Sequence, residues 1–218
     1  MRLARVNQPF DDRDFLYEIK HDGYRGLAYL GDGACELVSR NGNTFKRWPE
    51  LCRELAVTLK GHDAILDGEL VCFDAEGRSL FAPLLFGRRI PCFVAFDLLW
   101  LDGEDLRDLS LLERKRWLRR LIPRRRQSRL QYLEHVRGRG VSLFELARAK
   151  DLEGIVGKWA HARYASGENT TWVKVKNPDY TQMRDRAELF DVKPKPARFT
   201  APRLSITIDA MAVSRRKA

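Results

Sequence analysis

Apolar and polar positions alternate along several short stretches of the chain, and each stretch ends at a turn signal. Phe15–Lys20 reads as a strand closed by a turn at Asp22-Gly23. Gly26–Leu30 and Cys35–Ser39 flank Gly31-Asp32-Gly33, the pattern of a hairpin. Ala64–Phe73, Cys92–Phe96, Gly154–Trp159 and Thr171–Lys176 are also strand-like. Pro49–Leu59 has a helical period, with proline in its first turn and Gly61 past its end. Ser110 and Glu113 form a capping box for a helix running to Pro123, with Leu111, Leu118 and Ile122 on one side and arginines filling the rest. Ser142 and Glu145 suggest a second capping box, for a short helix ending near Lys150. Strands and helices do not alternate regularly, so the pattern predicts α+β, antiparallel sheets flanked by helices, rather than a doubly wound sheet. After about Asp191 the pattern dissolves. Residues 1–191 are read as one domain and 192–218 as a basic, flexible tail.

At 44% hydrophobic and 32% charged, the 218-residue chain is expected to bury one sizeable core. It contains no apolar run of membrane-spanning length, and its first residues lack the apolar segment of a signal peptide. A cytoplasmic protein with no membrane partner is expected; oligomeric state is not legible. Cys35, Cys52, Cys72 and Cys92 form no C-x-x-C pair, and the four histidines complete no zinc spacing. Buried, reduced thiols are expected.

The net charge of +10 is concentrated in two segments. Glu113–Arg129 holds nine Lys/Arg against one acid, and Lys193–Lys217 holds seven against one. The rest is mildly acidic. Such localisation suggests a polyanionic partner, nucleic acid above all, although a solvated helix face with a frayed tail would look the same.

Chemistry enters at Lys20-His21-Asp22-Gly23-Tyr24-Arg25. A strand-end lysine is usually a solvated group, but one placed near other cations has a lowered pKa and can act as a nucleophile. Further segments follow in order: Ser39-Arg40-Asn41-Gly42, Asp67-Gly68-Glu69-Leu70, Phe93–Trp100, Glu153–Lys158 and Trp172–Lys176. Together they resemble the ordered motifs of the covalent nucleotidyltransferase superfamily: ATP-dependent DNA ligases, RNA ligases and mRNA capping enzymes. The likeness covers roughly residues 10–190 and is nearest to the ligase domains of bacterial end-joining enzymes. Six matches in one order are far more specific than any one of them.

The resemblance implies an adenylation-domain fold and a reaction with ATP in which Lys20 attacks the α-phosphorus, leaving a lysine–AMP. It places Lys174 and Lys176 on the phosphate oxygens, and these two share a strand face. Glu153 and Glu69 are the candidate ligands for Mg²⁺ or Mn²⁺, with Glu69 alternatively on the ribose hydroxyls. Phe96 would stack on adenine, and Glu18 would accept from its amino group. Arg25 and Arg40 would grip the ribose side or the 5′-phosphate of a nick. Lys158 would contact phosphate; His21 acquires no role.

Complete ligases of this kind carry an oligonucleotide-binding barrel after the last of these motifs. The 42 residues after Lys176 are too few and too polar for its five strands. The expectation is therefore a catalytic core that adenylates itself and acts on nicked or broken DNA, with a protein supplying a DNA clamp in trans. The competing readings are an RNA ligase or capping-type nucleotidyltransferase, and a non-catalytic nucleic-acid-binding relic of a ligase.

Overall fold

Two sheets face one another across a narrow cleft, and the sequence dictates which face of each is apolar. The computed structural model describes residues 3–125, 128–165 and 171–182. In chain order the elements are β1 (Ala4–Arg5), β2 (Phe15–Ile19), β3 (Tyr24–Gly31), β4 (Ala34–Ser39), α1 (Pro49–Thr58), β5 (Ala64–Phe73), β6 (Ser79–Leu80), α2 (Phe81–Leu85), β7 (Cys92–Leu101) and β8 (Glu104–Asp105). There follow α3 (Leu111–Leu121), β9 (Leu130–Tyr132), β10 (His135–Arg137), α4 (Gly140–Ala149), β11 (Gly154–Trp159) and β12 (Trp172–Lys176). The proposed tail, and the boundary before it, lie outside the described residues.

The first sheet has the order β1-β12-β11-β2-β10; the second has β4-β3-β5-β7-β8, with β6 beside β5 and β9 beside β7. Pairing is antiparallel except for β1 with β12 and β9 with β7. The α+β expectation therefore holds, with two short parallel additions. The predicted hairpin closes through Asp32 and Gly33, both at positive φ.

Period-2 alternation divides each strand of the first sheet between two environments. Tyr17, Ile155 and Val175 pack against Phe144 and Ala147 of α4. Leu16 and Trp172 turn the other way and meet Phe96 of the second sheet and Leu111 of α3. The outer face of the second sheet buries Leu51 and Leu55 of α1 and Leu118 of α3, in the largest apolar cluster.

α1 begins at Pro49 as predicted. The α3 capping box is present: the Glu113 amide donates to Ser110 Oγ at 3.3 Å and the Ser110 amide to Glu113 Oε2 at 3.0 Å. Two predictions fail. α4 starts at Gly140, so Ser142 lies inside its first turn and caps nothing. Asp11 serves there instead, accepting from the Val141 amide at 2.9 Å. The α3 arginines also do not all lie on the outer side, because Arg114 and Lys115 are buried with Leu111 and Leu118. Arg114 donates to both oxygens of buried Asp97, and to the carbonyls of Leu109 and Ala162. A fully buried guanidinium persists because four of its five N–H donors have partners, two of them on the oppositely charged Asp97. The cysteines are free, as expected, though only Cys72 is fully buried.

Candidate active site

The strand registers bring the predicted residues together in rows across the first sheet. Glu18 pairs with Val156, which pairs with Lys174. One step along the strands, the Lys20 amide donates to the Gly154 carbonyl and Gly154 pairs with Lys176. One step the other way, Leu16, Lys158 and Trp172 are partners. All of these residues are on the face turned toward the second sheet. The cleft therefore runs from an apolar end at Trp172 to a cationic end at Lys20 and Lys176. The second sheet contributes Phe96, Arg25 and Glu69 to its lining, and β1 is preceded by Leu3, which also lines it.

Two motif glycines are fixed by close approach. A Cβ on Gly23 would lie 2.2 Å from the Leu70 carbonyl oxygen and 2.9 Å from Glu69 Cγ. Gly154, at φ +140°, would place a Cβ 2.1 Å from the Val175 carbonyl oxygen. Both contacts are below any tolerable separation. Glycine at 23 lets β3 approach β5, and glycine at 154 lets β11 run close against the β12 backbone between Lys20 and Lys176.

At the cationic end, Lys20 Nζ donates to Glu153 Oε2 at 2.5 Å, and Lys176 Nζ lies 3.6 Å from Glu153 Oε1. Glu153 is buried, while Lys20 and Lys176 keep 19% and 31% of their side-chain exposure. One carboxylate thus holds two lysines in position: Lys20 lines the cleft, and Lys174 and Lys176 lie past its lining on the same sheet face. Partial burial, then Lys176 and Lys20, push the Lys174 ammonium below its ordinary pKa. Burial pushes the Glu69 carboxyl up to about 8, with Glu153 and Asp67 adding to the shift and Lys20 and Arg25 opposing it.

At the apolar end, Phe96 meets Trp172 edge-on, with centroids 5.8 Å apart. The Arg25 guanidinium lies 5.5 Å from the Phe96 centroid and 5.4 Å from that of Trp172. Its fork is directed at Asp67, with bonds of 3.0 and 2.6 Å, and Tyr164 donates to the same carboxylate at 2.9 Å. Arg25 is therefore engaged beside the cleft in an ion pair with Asp67.

Glu18 is buried and lies 2.6 Å from Lys115 Nζ and 2.5 Å from Lys158 Nζ. Burial opposes its ionisation, but the two lysines outweigh burial and hold the carboxyl below its usual range. Lys158, 2% exposed, lies 4.1 Å from the Phe96 centroid and 4.0 Å from that of Trp172. It forms part of the cleft wall at the aromatic end, away from Lys20 and Lys176.

Arg40 stands apart, exposed on the turn after β4 and absent from the cleft lining. His21 shares a hydrogen bond with Ser79 Oγ at 3.0 Å, and burial with nearby Lys20 lowers its pKa to about 4. It is a neutral packing group beside the site. Trp172, Asp67, Tyr164 and Lys115 were not among the predicted site residues. The signal for Lys115 was its helical spacing from Leu111 and Leu118, which puts it on the inward face.

A family model described as ATP dependent DNA ligase domain matches residues 3–176. The chain is 36% identical over 170 residues to the multifunctional non-homologous end joining protein LigD of Pseudomonas aeruginosa, a match covering 75% of this chain and 20% of that protein. It resembles the crystal structure of the ligase domain of M. tuberculosis LigD at TM-score 0.70 and 31% identity, over 80% of this chain and 58% of that one. A mycobacterial DNA ligase D complexed with ATP and MES matches at TM-score 0.69 and 30% identity, over 80% and 60%. This chain thus spans about a fifth of the whole LigD protein and about three fifths of the two solved domains. Among the described residues no helix is long and apolar enough to cross a membrane.

Proposed function

The chain belongs to the ATP-dependent DNA ligase family, and from that premise we propose that it is the catalytic core of a DNA ligase whose nucleophile is Lys20. The observation that carries the reading is the short contact of Lys20 Nζ with Glu153, with Lys174 and Lys176 on the same face and an aromatic pocket behind them.

The chemistry follows from this layout. The neutral amine of Lys20 attacks the α-phosphorus of ATP. An N–P bond forms, the bond to the β-phosphate oxygen breaks, and pyrophosphate leaves. Glu153 Oε2, 2.5 Å from Nζ, orients the amine for attack and stays ionised, and the ammonium proton leaves to water before the N–P bond forms. Negative charge on the α-phosphate oxygens is met by Lys174 and Lys176, which are fixed in the sheet before ATP arrives. The AMP then passes to the 5′-phosphate of a DNA nick or break, and a 3′-hydroxyl displaces it. Phe96 is the aromatic wall against which the base lies, with Trp172 packed edge-on beside it, and Glu18, an acceptor held ionised, suits the adenine amino group. Arg25, held by Asp67, lies beside the ribose.

The residues present fit a divalent cation. Glu153 and Glu69 flank Lys20, and among the described residues no cluster of three or more His, Cys, Asp or Glu could cage an ion. Two carboxylates suit Mg²⁺ or Mn²⁺, which complete their shell with water and phosphate. When bound, the ion would neutralise charge on the polyphosphate.

The test is mass measurement of the protein after incubation with ATP and Mg²⁺, followed by sealing assays on nicked DNA and nicked RNA. Wild type should gain one AMP and Lys20→Ala none, with unfolding stability within about 1 kcal/mol, as for a strand-end side chain that keeps part of its exposure and adds little to the core. Covalent AMP on Lys20→Ala would remove the assignment; preference for nicked RNA would make the enzyme an RNA ligase.

A further inference from the structure

β1 is only two residues long, and nothing in its own sequence marks it as functional. Its register gives it a place in the site. β1 lies parallel to β12 with Ala4 opposite Val173 and Arg5 opposite Lys174, and the Val6 amide donates to the Lys174 carbonyl at 3.1 Å. Directly paired residues in a sheet project to the same side. Arg5 therefore shares the face of Lys174, the face that lines the cleft. Leu3, two residues earlier on the same face, independently lines the cleft beside Trp172. β1 thus runs alongside the whole site, apolar beside the aromatic end and cationic beside the phosphate end. Arg5 is exposed and makes no ion pair among the described residues, and its charge is felt at Lys174.

The direction of the reaction assigns this cation a partner. Displacement at phosphorus keeps the attacking and leaving atoms roughly in line. The nucleophile rises from the end of β2, and the strand order continues β11, β12, β1. With strands about 4.8 Å apart, β12 is roughly 10 Å and β1 roughly 14 Å from the strand of the nucleophile. An α-phosphate lying above Gly154, between Lys20 and Lys176, has its breaking bond directed over β12 toward β1. The cation waiting on that side is Arg5.

We propose that Arg5 binds the β- and γ-phosphates of ATP and holds the departing pyrophosphate, beyond the α-phosphate lysines Lys174 and Lys176. Its planar fork suits two phosphate oxygens at once. The inference rests on the reading of the cleft as an ATP site.

The experiment compares wild type, Arg5→Ala and Arg5→Lys in two measurements with Mg²⁺. Equilibrium titration uses AMP and α,β-methylene-ATP, whose α–β bridge cannot be cleaved. Single-turnover labelling uses ATP. Arg5→Ala should weaken the triphosphate analogue about tenfold, as expected for loss of one charge-assisted contact, while AMP affinity stays within about twofold. Labelling should fall by a similar factor, and Arg5→Lys should recover part of both. Equal weakening of AMP and the analogue, or no change in either, would overturn the role of Arg5 alone. A wild-type protein that binds neither nucleotide would overturn the reading of the cleft itself.

Discussion

The two ends of the cleft use the same residue types for opposite purposes. At the aromatic end Lys115 and Lys158 are 1% and 2% exposed and share the single carboxylate of Glu18. At the other end Lys20 and Lys176 share Glu153, while Lys174 and Arg5 stand on the same face with no carboxylate of their own among the described ion pairs. Two cations to one anion in a dry setting make a structural lock. Four cations to one anion beside solvent make a site short of negative charge, which a polyphosphate supplies. The number of lysines decides nothing here; what distinguishes the ends is burial and the ratio of cations to carboxylates.

The largest effect expected from this contrast is on stability. Removing one partner from a buried ionic cluster leaves the others desolvated without compensation, at about 3–5 kcal/mol. Lys115→Met should therefore destabilise the fold by about that amount, because Glu18 loses its 2.6 Å partner and the Leu133 carbonyl loses a donor at 2.8 Å. Lys174→Met, on a half-exposed side chain, should change stability by less than about 1 kcal/mol. Chemical denaturation of both variants measures the difference. Similar losses would mean that the two ends do not differ as described.

A smaller effect separates two roles of Glu69. Its carboxyl titrates near 8, so it is largely protonated at neutral pH in the free protein. A metal ligand must be ionised. If Glu69 ligates the cation, the Mg²⁺ concentration needed for half-maximal lysine labelling should rise as pH falls below 8, by up to about tenfold per unit. Glu69→Gln should flatten that dependence. If Glu69 instead holds the ribose hydroxyls, a neutral carboxyl serves as well and wild type and variant should share one pH profile. Titrating Mg²⁺ at pH 6.5, 7.5 and 8.5 distinguishes the cases.

Much of this arrangement is legible in the chain, for identifiable reasons. β5 was predicted at Ala64–Phe73, its observed span, because its apolar positions continue until Asp74 ends them. The pairing of Lys174 with Lys176 follows from strand period alone. Long-range causes were invisible. The α4 cap comes from Asp11, which no local reading of Ser142 and Glu145 could supply. β1, β9 and β10 have two or three residues each and exist because a neighbouring strand edge accepts them. Arg40 follows its motif in sequence but lies outside the cleft lining. The burial of Arg114 and Lys115 was legible in spacing and obscured by charge: both lie at helical intervals from Leu111, yet arginine and lysine are ordinarily exposed.

That misplacement changes what can be expected of DNA binding, which is the smallest effect per residue. The segment from Arg114 to Arg126 reads as one basic run, but Arg114 and Lys115 are committed to Asp97 and Glu18. Arg119 is partly engaged, 3.4 Å from Glu134 and 5.1 Å from the Tyr132 centroid. The cations left facing solvent are Arg116, Arg120, Arg124 and Arg125, with Trp117 exposed among them and Arg120 stacked on it. Each phosphate neutralised by such a side chain releases counterion, so the logarithm of affinity should fall against the logarithm of salt by about 0.9 per contact. Arg116→Gln, Arg120→Gln and Arg124→Gln combined should lower the salt slope for nicked-duplex binding by up to about 3, with stability nearly unchanged, since none of the three is buried. Arg114→Gln should instead destabilise the protein, because buried Asp97 loses its bidentate partner. Its salt slope, measured on the folded fraction, should match that of wild type. An unaltered slope in the triple variant would show that the exposed arginines from Arg116 to Arg124 form a solvated surface, leaving the cationic end of the cleft as the principal polyanion site on the described residues.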